Sequence, residues 1–212
     1  MKIDKAGWPF IAGALVPAAV LAVARRYGWA TSFGALGAFM TYFFRDPERR
    51  VPAGDGLIVA PADGRVMIAG PSDHRWAPDG DWLQVTIFLS PLDVHINRAP
   101  NEGRITRVEY RPGQFLPAYR EDASHNERNE IWIDRQGETI IVRQIVGVLA
   151  RRIVCRVHEG ERVTRGQRIG LMKFGSRMDV FLPSRAELMV RVGQSVVGGE
   201  TVIARLSGND RA

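Results

Sequence analysis

The chain has 212 residues, enough for one catalytic domain with a hydrophobic core plus an appendage, and short for two such domains. Its 29 Lys and Arg against 23 Asp and Glu give a formal charge of +6, which points to a negatively charged partner, either nucleic acid or an anionic membrane. A single cysteine, Cys155, set among Ile153, Val154 and Val157, excludes an internal disulfide and any cysteine-based metal cluster, and fits a buried strand residue of a cytosolic protein.

Residues 8–24 carry no charge, and after Arg25-Arg26 a second uncharged run extends over 27–44. Each is slightly short for a spanning helix, which needs roughly 20 apolar residues. The second run ends in Phe39, Tyr42, Phe43 and Phe44, an aromatic cluster suited to a membrane interface. The aromatic residues form no interleaved basic stripe, so the membrane is favoured over nucleic acid as the polyanion. A cleaved signal peptide fits poorly, because Arg25-Arg26-Tyr27 and more hydrophobic chain follow the first run. The expectation is a membrane-associating helical segment over 1–48, embedded or interfacial. Lys2, Lys5, Arg45, Arg49 and Arg50 outnumber Arg25 and Arg26, which keeps the remainder on the cytoplasmic side of a cell membrane.

After the linker 49–56, short Val- and Ile-rich runs alternate with Gly, Pro and Asp clusters, the pattern of strands and tight turns. Strands are expected over 57–60, 82–89, 131–133, 139–146, 152–157 and 187–192. The fold class is mainly β, a β domain over 49–212 preceded by the hydrophobic helical segment. Residues 157–167 are echoed by 190–200: both give strand, glycine turn, valine, glycine turn, strand. That echo resembles the barrel-sandwich hybrid of biotinyl and lipoyl carrier domains, with ordinary hairpins as the alternative.

Between the two echoes lies Leu171-Met172-Lys173-Phe174-Gly175-Ser176-Arg177-Met178-Asp179-Val180-Phe181-Leu182-Pro183. A Gly-Ser pair alone is usually a turn. Three further segments precede it: Ala60-Pro61-Ala62-Asp63-Gly64-Arg65-Val66, Phe88-Leu89-Ser90-Pro91-Leu92-Asp93-Val94-His95-Ile96-Asn97-Arg98-Ala99-Pro100, and Asn126-Glu127-Arg128-Asn129. Together, in this order, the four segments resemble those of the phosphatidylserine decarboxylase proenzymes, and the length is similar to that of the family's shorter branch.

The resemblance implies self-cleavage between Gly175 and Ser176 into a large chain, 1–175, and a small chain, 176–212, that stay together as a heterodimer. Ser176 would become a covalent pyruvoyl cofactor, forming a Schiff base with phosphatidylserine in an anionic membrane and yielding phosphatidylethanolamine and carbon dioxide. A serine hydroxyl is a weak nucleophile and needs a base. The resemblance assigns that help to Asp63 and a histidine, with Asp63 orienting the imidazole as in a serine triad. His95 is the chosen base and the proton donor after decarboxylation. Larger members have a second histidine where Arg98 stands here; either His95 serves both steps or His125 takes one of them or contacts substrate. No metal and no nucleic acid is implied.

Two other functions are weighed. Met172-Lys173 is similar to the biotin acceptor site, which would make the chain a carrier modified at Lys173, though a carrier needs far fewer residues. A pyruvoyl-dependent amino-acid decarboxylase would leave the apolar N-terminus unexplained. Arg104, Arg107, Arg111 and Arg120 either bind phosphate or form a solvated strand face. His74 and His158 are taken as structural. An exposed edge strand is the element that would support a homo-oligomer.

Overall fold

The computed structural model describes residues 2–118, 123, 125–147, 153–173 and 175–206. Arg120, Arg152 and Phe174, which enter the expectations above, lie outside the described residues. The chain divides into two compact units, Met1–Glu48 and Arg49–Ala212.

In the first unit, α1 (Trp8–Val23) and α2 (Tyr27–Phe43) form a hairpin, turned by Arg25, which takes a φ of 56°. At about 24 Å, α1 is shorter than the ~30 Å hydrocarbon core of a bilayer. The stretch Lys5–Val23 nevertheless has the length and mean hydropathy, 1.9, to cross one. The helices approach closely at Gly37, where a Cβ would lie 2.4 Å from Leu15 Cδ2. In α2 the hydroxyls of Thr31 and Thr41 donate to the carbonyls of Gly28 and Gly37, each at 2.8 Å, so these polar groups need no water. The open end is tied by β1 (Lys2–Ile3) pairing with β2 (Arg45–Asp46) and by Asp4 N donating to Phe44 O at 2.9 Å. The aromatic cluster differs from the interfacial belt expected of it. Phe43 and Phe44 are fully buried, Phe44 stacking on Phe10 at 5.3 Å, while Trp8, Tyr27 and Trp29 are exposed. Close packing at Gly7, which leaves room only for the Phe44 ring, draws that aromatic inward.

The second unit is built from β3 (Leu57–Val59), β4 (Gly64–Pro71), β5 (Trp82–Leu89), β6 (Ile96–Arg98), β7 (Gly103–Arg111), β8 (Arg128–Arg135), β9 (Glu138–Val146), β10 (Ile153–Cys155), β11 (Arg162–Val163), β12 (Arg168–Met172), β13 (Ser176–Pro183), β14 (Glu187–Leu188), β15 (Ser195–Val196) and β16 (Val202–Arg205). An antiparallel eight-stranded sheet has the order β11-β7-β8-β9-β13-β5-β4-β15, and two three-stranded sheets run β10-β12-β6 and β14-β16-β3. Cys155 is half-buried in β10 rather than buried. The segment 187–192 pairs in register at Glu187 and Leu188, with one more bond from Met189 N to Ile203 O at 2.9 Å, before the chain leaves the sheet for the turn at Gly193.

The echo of 157–167 in 190–200 is one half of a larger internal symmetry. Gly160 and Gly193 occupy the left-handed region at φ 87° and 86°, and Gly166 and Gly199 at 77° and 81°, a conformation that favours glycine. Between them Val163 and Val196 enter the core to the same degree. The partners of these hairpins also repeat: Ala60-Pro61-Ala62-Asp63-Gly64-Arg65-Val66 corresponds to Ala99-Pro100-Asn101-Glu102-Gly103-Arg104-Ile105. Ala60 N donates to Thr201 O and Ala99 N to Gln167 O, while Gly199 N and Gly166 N return bonds to Ala60 O and Ala99 O, all at 2.8 Å. Both β4 and β7 bulge at the equivalent place, between Val66 and Ile68 and between Ile105 and Arg107. The copies clasp each other through Val59 N to Pro100 O and Arg98 N to Pro61 O. Ile58, Val66, Ile87, Ile105, Ile131, Val180 and Ile203 belong to the shared apolar core; strand alternation therefore sends every second residue of the large sheet into it.

Candidate active site

Asp63 ends the loop from β3 to β4, where Gly64 at φ 150° lets the backbone pass against Phe88 O; a Cβ there would sit 2.1 Å from that oxygen. Its carboxylate accepts two bonds from Arg49 Nη2, at 2.9 and 2.7 Å, and one from Gly198 N at 2.8 Å. Burial raises its pKa; the Gly198 N–H and the Arg49 guanidinium oppose that shift, and the charge of Asp93 adds to it. Asp63 and Asp93 line one cavity of about 590 Å³ with Arg65, Ser90 and Ser195.

Asp93 closes a turn from the end of β5: its carboxylate accepts from Ser90 N at 2.7 Å and its N–H donates to Ser90 O at 3.0 Å. This turn delivers His95, which is fully buried. His95 Nδ1 lies 3.0 Å from Asp93 O. A carbonyl oxygen only accepts, so Nδ1 carries the proton and, in the neutral ring, Nε2 holds the basic lone pair. The His95 carbonyl accepts from Met172 N and from Asn97 Nδ2, each at 3.3 Å. The ring partner of His95 is thus the Asp93 carbonyl, while the hydrogen bonds of Asp63 go to Arg49 and Gly198.

Four residues beyond Met172 comes Ser176, first residue of β13, paired with Leu89 on β5 and Val146 on β9. The segments that end at His95 and at Ser176 therefore both leave from the same strand ends. Ser176 is fully buried and its hydroxyl has no hydrogen-bond partner among the described residues. Gly175 takes φ 71°, in the left-handed region, and its carbonyl oxygen packs against Gly147, where a Cβ would lie 2.3 Å from it. On the opposite face of β13, Arg177 Nε and Nη2 hold Asp179 at 2.7 and 2.9 Å, both residues buried, and Thr86 donates to Asp179 at 2.8 Å.

The Asn-Glu-Arg-Asn segment reaches this site by two routes. Asn126 bonds the backbone of Leu116 in both directions and donates to Val146 O at 2.7 Å, which holds Leu116 and Asn126 beside the end of β9. Asn129 Nδ2 donates to Gln144 Oε1 at 3.0 Å, and Gln144 Nε2 to Asn97 Oδ1 at 2.7 Å. Since Asn97 bonds the His95 carbonyl, a buried chain of amides joins the third segment to the second. Gly170 leaves the space for it, as a Cβ there would lie 2.8 Å from Gln144 Nε2.

Asp63, Asp93, His95, Gly175 and Ser176 thus share one end of the sheet; His125, next to Asn126, comes to the same end but its ring lies on the other face. His125 is exposed, stands edge-on to Trp76 at 4.6 Å, and lines a second cavity with Arg107 and Arg111. Arg104 lies at the other end of β7, opposite Arg162. Lys173 is not at a hairpin tip: β12 pairs with β10 and β6, and β13 with β9 and β5, so the lysine spans two sheets, unlike an acceptor loop. Sequence reasoning missed Arg49, Gly147 and Gln144. Gln144 had a signal, a polar residue in the run Ile140-Ile141-Val142-Arg143-Gln144-Ile145-Val146, while the other two act through backbone proximity or distance in sequence.

The family model described as phosphatidylserine decarboxylase matches residues 36–204. A phosphatidylserine decarboxylase proenzyme of Symbiobacterium thermophilum is 47% identical over 206 residues, 96% of this chain and 95% of the relative. Proteins of the same description from Chlorobium phaeobacteroides and Nitrosomonas europaea are 46% identical over 177 residues and 43% over 204, covering 83% and 95% of this chain and 83% and 94% of theirs.

Proposed function

The chain belongs to the phosphatidylserine decarboxylase family and is a carboxy-lyase, and from that premise we propose that it decarboxylates phosphatidylserine after breaking its own bond between Gly175 and Ser176. The observation that carries this reading is the buried, unpartnered hydroxyl of Ser176 directly after a left-handed glycine. An orphaned buried hydroxyl costs about 1–3 kcal/mol, a penalty that the reaction at that atom would account for. The relatives' description as proenzymes supports the same step.

In this account His95 Nε2 takes the Ser176 Oγ proton as Oγ attacks the Gly175 carbonyl carbon. Ring orientation comes from the Asp93 carbonyl at Nδ1. Asp63 acts at one remove, lining a cavity with Asp93, the residue whose carbonyl holds the ring. The Gly175 C–N bond then breaks with protonation of nitrogen, leaving an ester to Oγ and a free amine at residue 176. Removal of the residue 176 α-proton expels the Gly175 carboxylate and leaves a dehydroalanine amine. Addition of one water releases ammonia and leaves a ketone.

The small chain has reason to stay. Its β13 would lie between β9 and β5, its β15 on β4 and its β16 on β3, so three strands cross the cut. Residue 176 suits a pyruvoyl group, being buried and first in its strand, at the sheet end to which the Asp93 turn brings His95. Such a group supplies a ketone for the substrate amine and a conjugated carbonyl that accepts the electron pair left by carbon dioxide. His95, protonated at Nε2, donates the proton that takes the place of the carboxylate. The helical hairpin of the first unit, with exposed Trp8, Tyr27 and Trp29, supports a monotopic or peripheral position on a cell membrane with the β unit on the cytoplasmic side.

The test is carbon dioxide release from phosphatidylserine by the purified chain, beside Ser176→Ala. The wild-type chain should be cut and active, the variant whole and inactive; a cut or active variant would remove Ser176 from the mechanism.

A further inference from the structure

The face of the large sheet turned away from Ser176 holds a cavity of about 370 Å³ beneath residues 75–79. Register explains its lining. Arg111 lies opposite Arg128, Glu109 opposite Glu130, and Arg107 opposite Trp132 across β7 and β8, and Glu130 faces Arg143 across β9. Side chains at these paired, alternating positions project to one side. Arg75 is brought from the loop.

Two carboxylates serve four of these guanidiniums. Arg107 and Arg111 share Glu109; Arg128 and Arg143 share Glu130 at 3.3 and 2.9 Å. Arg75 pairs with Asp73 at 2.6 Å, and Asp79 is the remaining carboxylate of the lining, so positive charge stays in excess. Arg107 engages Glu109 through Nη2 and Arg111 through Nε, so each half-exposed planar fork of five N–H donors keeps donors turned to the cavity, while Arg143 also donates to Trp76 O at 2.6 Å. Trp132 Nε1 is buried and has no hydrogen-bond partner among the described residues. Arg143 is almost completely buried, and its burial disfavours the charged form, against the pull of Glu130 and Asp179. A desolvated cation, surplus donors and an unpartnered indole N–H in one concavity are the requirements of a tetrahedral oxyanion.

We propose that this cavity binds a phosphate-bearing group, either a phospholipid headgroup or free phosphate, at a site separate from Ser176. Its residues face away from the cleavage site, so the proposal stands apart from the maturation chemistry and extends to the uncut precursor.

The experiment uses full-length Ser176→Ala protein in detergent, labelled on tryptophan nitrogen, at constant ionic strength with chloride as the reference. Inorganic phosphate and, separately, short-chain phosphatidylglycerol below its micellar concentration are titrated while the Trp132 indole resonance, assigned with Trp132→Phe, is followed. A saturable shift of Trp132, with Trp8 and Trp29 unmoved, is expected, weakening at least about tenfold in Arg107→Gln and in Arg111→Gln. Saturation by phosphatidylglycerol alone would identify a headgroup site, and by phosphate alone a free-anion site. These arginines are half-exposed, and an unchanged Trp82 resonance checks that each variant is folded. No saturable shift with either ligand, or an undiminished one in both glutamine variants, would overturn the proposal.

Discussion

Replacing Gly147 by Ala puts a methyl 2.3 Å from the Gly175 carbonyl oxygen. Both atoms in that clash belong to backbone or Cβ, so no rotamer change relieves it, and the Gly175 carbonyl has to retreat by roughly 1 Å to reach ordinary contact. A displacement of that size at reacting atoms costs on the order of 100-fold in rate, and overpacking costs about 1–3 kcal/mol of stability. Self-cleavage, followed as disappearance of the full-length band on denaturing gels, should therefore slow by about 100-fold. Gly103→Ala separates the two effects: its Cβ would lie 2.4 Å from Asp134 O, an equal insult at the far edge of the sheet. It should lose comparable stability to chemical denaturant and keep its cleavage rate. Gly70→Ala, where nothing lies within 4 Å, should change neither. Cleavage of Gly147→Ala within a few-fold of wild type, or equal slowing in Gly103→Ala, would refute the idea that Gly147 sets the position of the bond.

His95→Ala should leave the chain whole, whereas His125→Ala should cleave at the wild-type rate, since its ring is on the other cavity; gels of freshly made protein distinguish them. Gln144→Leu orphans the Asn129 and Asn97 amides, and should cost about 1–3 kcal/mol in denaturant titration and slow cleavage. Burial raises the pKa of Asp63 above 3.8, so the fold favours the protonated acid: that contribution is complete below 3.8 and is lost as pH rises through the higher folded value. Cleavage that needs the carboxylate should accordingly fail on acidification above the ordinary aspartate range. Arg49→Gln removes a cation that lowers this pKa, and should move the acid limb of the cleavage-rate profile to higher pH; an unmoved limb would dissociate Asp63 from the reaction.

Much of the architecture was legible where burial is one-sided or total. The run 82–89 is a strand with those bounds, and 139–146 misses only Glu138, because Val- and Ile-rich stretches between turn residues have few alternatives. β7 was harder: Arg104, Arg107, Glu109 and Arg111 hide its period, since a charged face of a sheet can pack under a loop instead of meeting water. The repeat of 60–66 in 99–105 stood in the sequence, yet Asp63 against Glu102 and Ala62 against Asn101 obscured it, and only the matching hydrogen bonds make the two copies plain. For the candidate site, the motifs named Asp63, His95 and Ser176, which the fold places at one end of the sheet. Spacing could not tell that Asp63 is held by Arg49 and Gly198, because those partners are 14 and 135 residues away. Nor could it tell that a carbonyl, at Asp93, fixes the tautomer of His95.

The central claim is that Ser176 makes itself the cofactor, and denaturing intact-mass analysis of freshly purified protein tests it most directly. The account predicts two chains, one ending at Gly175 and one whose mass is lighter by one ammonia than residues 176–212 beginning with serine. A single full-length mass after prolonged incubation with membranes, or a small chain that keeps its serine amine, would contradict it.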